Sequence, residues 1–203
     1  GLATVARLAR EIGFEGRIVC GHCCALAVQP EHQALATLDA VARAPITIVS
    51  LPATNLLLQD AVTGRTPRQR GLTLVKEARA RGIPVLIASD NVQDPFCPVG
   101  SFDPLEAFSA GVLAGQLDQP FDIGSESLCR ADWLTRGPPA PPLQAGSPAD
   151  WTVFGNANVQ GFPSRTQPRT VVRQGRLLAD ASRHVSLATP PMPPIPPYTR
   201  SSA

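Results

Sequence analysis

Pro84-Val85-Leu86-Ile87-Ala88-Ser89-Asp90 runs almost without polar relief from a proline to a carboxylate. A strand wetted on one face alternates apolar and polar residues. A continuous apolar run of this length reads instead as a strand buried on both faces, the habit of parallel sheets. Ile46-Thr47-Ile48-Val49-Ser50-Leu51 and the shorter Arg17-Ile18-Val19-Cys20 read the same way. Helical patterns stand between them. Leu2 to Ile12 is amphipathic, and Pro30 to Ala42 starts on a proline suited to a first turn and carries Leu35, Leu38 and Val41 on one stripe. Gly71 to Arg81 places Leu72, Val75 and Ala78 on one face and stops at Gly82, and Leu105 to Leu117 is a further helix. The order α-β-α-β-α-β-α predicts an α/β fold with a parallel sheet and helices packed against it.

In such folds the working residues follow the C-terminal ends of the strands. The places to look are Gly21-His22-Cys23, Pro52 to Asp60, and Asp90 to Gly100. None carries a Gly-rich phosphate loop or a G-x-S-x-G nucleophile elbow, so nucleotide binding and serine hydrolysis have no support. What remains is His22 after one strand and Asp90 after another. Taken singly, the first reads as a hydrogen-bonded imidazole and the second as a helix N-cap. Together, at matching strand ends, they can converge on one divalent metal or move protons. The loop Asp90-Asn91-Val92-Gln93-Asp94-Pro95-Phe96-Cys97-Pro98-Val99-Gly100 has two prolines and a closing glycine, which predicts a rigid loop with Asp94 capping a turn.

Bulk composition narrows the rest. The chain has 203 residues, 43% of them hydrophobic, with 18 Lys and Arg against 16 Asp and Glu. There is no basic stripe for nucleic acid, only a small cluster at Arg65, Arg68 and Arg70. No apolar run approaches the roughly 20 residues needed to span a bilayer, and no secretory signal is visible. Five cysteines (Cys20, Cys23, Cys24, Cys97 and Cys129) have no disulfide-framework spacing. Cys20-x-x-Cys23 lacks the second pair that a zinc site wants, so these residues read as small buried side chains in a reducing, cytoplasmic protein. The first residue is Gly1, which leads to the expectation of a processed, truncated or fragmentary chain.

Composition shifts after about residue 136. Pro138-Pro139-Ala140-Pro141-Pro142 looks like a linker, Trp151 to Phe154 like a short strand, and Thr170 to Leu178 like a hairpin turning at Gln174-Gly175. From residue 188 the chain is Pro-rich. Three regions are expected: a partial barrel over 1–136, a small β-sandwich element over 137–180, and a disordered tail over 181–203.

The loop beginning Ser89-Asp90-Asn91-Val92-Gln93-Asp94-Pro95 resembles the loop after the eighth strand of cytosine-deaminase-type amidohydrolases. Thr66 to Glu77, Asn55-Leu56-Leu57-Leu58-Gln59 and Gly21-His22-Cys23-Cys24-Ala25 resemble the same family, as do Gly146 to Phe154 and Val172 to Arg176 in its closing sandwich. The resemblance covers roughly residues 10 to 180. It implies the C-terminal part of a TIM-type (β/α)8 barrel, about the last three strands, plus part of a small β-sandwich. It implies one divalent metal, Fe²⁺ or Zn²⁺, with Asp90 as a ligand that also accepts from the attacking water. His22 would polarise the substrate and steady the tetrahedral intermediate, and Asn91 would contact the substrate. The reaction would be hydrolytic deamination of cytosine or a related aminopyrimidine or aminotriazine. Asn91 stands where cytosine deaminase has an aspartate, and Leu57 where it has a histidine; both shift the pocket away from a pyrimidine.

The family's other metal ligands, a His-x-His pair and a further histidine, have no counterpart among His32 and His184. The expectation is therefore a chain inactive alone, needing the missing N-terminal half of the barrel in cis or in trans. The resemblance also brings a homo-oligomer as an expectation, with no nucleic-acid or membrane partner. Two other readings stand beside it: a non-catalytic remnant or half of a split enzyme, and a plain sheet-based binding module. Three parallel strands would leave an open edge and an uncovered apolar face.

Overall fold

A computed structural model describes residues 1–120, 123–135, 143–154 and 169–178. The linker at 138–142 and the Pro-rich tail at 181–203 lie outside the described residues. The fold is α/β with one parallel and one antiparallel three-stranded sheet.

The elements run α1 (Leu2–Glu11), β1 (Ile18–Gly21), α2 (Glu31–Val41), β2 (Ile46–Ser50), α3 (Pro52–Leu58), α4 (Val75–Ala80), β3 (Val85–Ile87), α5 (Pro104–Gly115), α6 (Glu126–Cys129), β4 (Trp151–Phe154), β5 (Arg169–Arg173) and β6 (Arg176–Leu177). The parallel sheet has the order β1-β2-β3, with Cys20 beside Ile48 and Ile48 beside Val85. Each strand passes to its neighbour through a helix, as parallel pairing requires.

Ile46, Ile48 and Val85 on one sheet face meet Ala6 of α1, Ala34, Leu38 and Val41 of α2, and Val75 and Ala78 of α4. Ile87 meets Leu105 and Phe108 of α5. Burying each large side chain of this layer stabilises by about 1.5–3 kcal/mol. Gly111 is where α5 crosses Ile87, and a Cβ there would stand 2.9 Å from Ile87 Cδ1. Asp103 caps α5 by accepting from the Leu105 amide at 3.0 Å, with Pro104 in the first turn.

Two expectations are corrected. The strands are not all buried on both faces: β2 and β3 are, but β1 is half-exposed, and Val19 shows 46% of its surface. Among the described residues β1 pairs with β2 alone, so its outer edge and the face bearing Val19 are uncovered, as the three-strand count predicts. The helix expected from Gly71 begins only at Val75, because Thr73 turns its hydroxyl to the His22 carbonyl and Leu74 takes a ψ of 71°. Pro52 to Asp60, one of the segments that follow a strand end, opens with the short helix α3. Helical turns over 123–134 have no forerunner in the sequence reading, and Thr47 of β2 donates to the Trp133 carbonyl there at 2.6 Å.

The hairpin at Gln174-Gly175 forms as expected, and β4 adds to it as a third antiparallel strand. This small sheet is fastened to the helical layer where Arg169 reaches Asp103, Nη2 to Oδ2 at 2.9 Å. No helix among the described residues is long and apolar enough to cross a membrane.

Candidate active site

Parallel strands end together, so the residues after β1, β2 and β3 meet at one end of the sheet. His22 extends β1 by one ladder bond, its amide donating to the Val49 carbonyl at 2.9 Å. The backbone then turns through the left-handed region at His22 (φ 61°) and Cys23 (φ 51°), and again at Asp90 (φ 67°) after β3. Non-glycine residues take that conformation at a cost of about 1–3 kcal/mol each, and such strain gathers at functional sites. The two residues singled out in the sequence are thus both held in it.

The structure brings these two together. His22 Nε2 stands 3.6 Å from Asp90 Oδ2, beyond hydrogen-bond reach. The other ring nitrogen, Nδ1, lies 2.8 Å from Asn55 Oδ1. A carbonyl oxygen only accepts, so Nδ1 carries the proton and Nε2 is the nitrogen left free toward Asp90. The His22 carbonyl is held from behind by the Thr73 hydroxyl. Asn55 and Thr73 are nearly fully buried. Neither was assigned a role from sequence. The signal for Asn55 was present: it is the one amide at the head of an otherwise leucine-rich helix, directly after a buried strand.

Buried polar atoms without a hydrogen-bond partner are rare and call for an explanation. Among the described residues they are Ser50 Oγ, Thr54 Oγ1, Asn55 Nδ2 and Asp90 Oδ2. All four lie at or just beyond the C-terminal ends of β2 and β3, where a ligand would sit. A carboxyl oxygen left so is among the most costly, and a cation is a natural partner for it. Asp90 therefore fits one position of a divalent-metal site. Among the described residues no three His, Cys, Asp or Glu side chains come together to complete it.

Asn91 follows Asp90, but its side chain is committed within the loop. Its Nδ2 donates to Asp94 Oδ2, while Asp94 Oδ1 accepts from the amides of Phe96 at 2.9 Å and Cys97 at 2.8 Å. The Asn91 amide, with the Cys97 and Phe96 amides, holds the Asp94 carboxyl below the usual aspartate range, and burial opposes this only in part. The expected turn cap is thus present, and it doubles as the anchor of Asn91.

The arginine-bearing loop is organised by Asp60. Its carboxylate takes Arg65 Nη2 at 2.5 Å and the amides of Arg68 at 2.7 Å and Gln69 at 3.1 Å. Arg65 and these amides hold Asp60 well below the ordinary carboxylate range. Gly71 passes so close to the first loop that a Cβ would meet Gln59 Oε1 at 3.0 Å and the Cys24 carbonyl at 3.3 Å. Leu57, where the family resemblance has a histidine, is 38% exposed.

All five cysteines are free. Burial, then the neighbouring Cys20 and Cys24, push the Cys23 thiol up to about 12, which keeps it protonated near neutral pH. Cys97 is buried, whereas Cys129 is exposed and departs from the expected buried set.

Residues 1–124 match the model of the amidohydrolase family. A pterin deaminase from Rhizobium rhizogenes is 41% identical over 179 residues, which are 87% of this chain and 41% of that protein. The chain thus spans about two fifths of the length of this relative. A 5-methylcytosine deaminase from Klebsiella pneumoniae, solved with 5-fluorocytosine, superposes with a TM-score of 0.67 at 24% identity, over 87% of this chain and 44% of that one. An N-isopropylammelide isopropylaminohydrolase from Burkholderia multivorans gives 0.63 at 20%, over 87% and 42%. At these identities the two structures establish the likeness of fold.

Proposed function

The chain belongs to the amidohydrolase family, and on that premise we propose that it is the C-terminal part of a hydrolase that deaminates an aminated heterocycle with a metal-activated water. The carrying observation is the orphaned Oδ2 of Asp90, 3.6 Å from His22 Nε2 at the shared end of the parallel strands. In this reading β1, β2 and β3 are the last three strands of a (β/α)8 barrel over residues 1–136. The antiparallel strands belong to a small β-sandwich element over 137–180, followed by the tail at 181–203. The protein works in the cytoplasm, and the remaining barrel strands pair with the open edge of β1, in cis or in trans. The homologous deaminases favour a heterocycle as substrate, and the substitutions at Asn91 and Leu57 favour one other than cytosine.

Asp90 would hold one position of a divalent Fe²⁺ or Zn²⁺. Such an ion, when bound, supplies a water acidified toward neutrality. Asp90 would hold the ion and, as a carboxylate, would accept a hydrogen bond from the attacking water. His22 works at Nε2, because Nδ1 is tied to Asn55. As the imidazolium it donates to charge developing on the heterocycle, and as the neutral ring it takes a proton at the same atom. Asn91 lines the substrate from the loop that Asp94 stiffens. The product would be a carbonyl compound and ammonia.

The reading is tested on the full-length protein that contains this chain. Ammonia release is measured on aminopyrimidines, aminotriazines and pterins, with metal content read from the same sample. Turnover that depends on bound metal is expected. Absence of both metal and turnover would leave the non-catalytic remnant standing. The lack of a complete metal-ligand set among the described residues favours inactivity of residues 1–203 by themselves.

A further inference from the structure

The Asn91 amide has two ends, and the loop uses one of them. We propose that Asp94 is a positioning residue that fixes Asn91 so that its carbonyl oxygen faces the substrate, and hence that the substrate presents an N–H donor there. This rests on the deaminase reading above and names the polarity of the group its site selects.

Asp94 Oδ1 is occupied by the Phe96 and Cys97 amides, and Oδ2 is met by Asn91. With its carboxyl held below the usual range, Asp94 is ionised at neutral pH and can only accept. The group facing it from Asn91 must therefore be Nδ2, and a flipped amide would set two acceptors against each other. Asn91 Oδ1 takes no hydrogen bond among the described residues. The acceptor is thus the end of the side chain left for a ligand, reinforced because the amide is polarised by the carboxylate behind it. Loop rigidity completes the device. Gln93 Nε2 closes the loop onto the Gly100 carbonyl at 3.1 Å, and Cys97 is fully buried beneath it. An aspartate at position 91 would repel the Asp94 carboxylate, so a neutral acceptor is the form this loop supports. A lactam or amino N–H of an aminated heterocycle fits it. A ring nitrogen lone pair, or an N-methyl group, does not.

The test is Asp94→Asn in the full-length, metal-loaded protein. An asparagine at 94 still accepts the Phe96 and Cys97 amides through Oδ1, so the turn is kept. Its other end becomes a donor, which draws Asn91 Oδ1 inward and turns Nδ2 toward the substrate. Acceptor becomes donor with the fold unchanged. KM for a pterin or cytosine-type substrate is compared with that for its ring-N-methylated analogue, and equilibrium binding of both is measured in parallel. In the wild type the N–H form is expected to be preferred by about tenfold or more, the value of one hydrogen bond and its unpaired remnant. In Asp94→Asn that preference collapses, with KM moving and melting temperature not. The double exchange Asn91→Asp with Asp94→Asn keeps the internal bond in reverse and restores an acceptor, so the preference returns. An unchanged preference in a folded Asp94→Asn protein overturns the assignment while leaving the deaminase reading intact. A full-length protein that neither binds nor turns over any such heterocycle overturns both.

Discussion

Asn55 Oδ1 lies 2.8 Å from His22 Nδ1 and leaves Nε2 as the ring nitrogen turned toward Asp90. Replacing Asn55 by Leu removes that acceptor and lets the ring take either tautomer. In the full-length enzyme kcat is expected to fall about 10- to 100-fold, the usual effect of losing the partner that orients a working histidine. Steady-state kinetics check it, and a change confined to KM would count against the tautomer role.

Asp90→Asn separates function from stability. Asparagine tolerates the left-handed backbone at this position. Metal content of the full-length protein should fall and deamination should be lost. The metal-free protein should gain about 1 kcal/mol, because a buried carboxylate oxygen without a partner is replaced by a neutral group. Thermal melts with and without chelator read both effects. Equal melting temperatures in all four samples would show that Asp90 carries no metal.

The Asp60 carboxyl is held below its ordinary value of 3.8 by Arg65 and by the amides of Arg68 and Gln69. A carboxyl with a depressed folded pKa stabilises above its unfolded value and loses that contribution as pH falls. The wild type should therefore lose melting temperature faster than Asp60→Asn as pH drops through and below 3.8. Melting curves from neutral pH downward test this. Parallel curves for the two proteins would mean that the loop contributes nothing to acid stability.

Cys23 behaves oppositely. Its thiol is raised to about 12, so ionisation destabilises the fold as pH climbs from the ordinary thiol range toward that value. Alkylation at pH 8 followed by peptide mass spectrometry should leave Cys23 unmodified in the folded protein and modify it after denaturation. Rapid labelling of native Cys23 would show that burial does not protect it.

The parallel sheet was legible because one rule, burial on both faces, links unbroken apolar runs to parallel strands. That rule failed at β1, where Val19 is exposed, since neighbours outside the run decide an edge. His22 and Asp90 were legible from where they fall relative to strand ends. Thr73 was not, and Asn55 only as an amide heading a leucine-rich helix, because their pairings span 51 and 33 residues of separation that no local pattern encodes. Asn91 was legible as a position but not as a polarity. Which end of an amide is free depends on the carboxylate three residues on. The start of α4 was misplaced for a related reason: the apolar stripe of Leu72, Val75 and Ala78 carried the helix back to Gly71, and one tertiary hydrogen bond from Thr73 overrode it.

The exposed edge of β1 also sets a rule for its complement. The strand's far end is already pinned, since the His22 amide is spent on Val49 and its carbonyl on Thr73. Side chains alternate along a strand, so an incoming strand displaced by one position would exchange its inner and outer faces. Under the proposed function the positions that orient the histidine would therefore also act as a ruler: correct docking of a neighbouring strand and correct assembly of the chemistry would be one event.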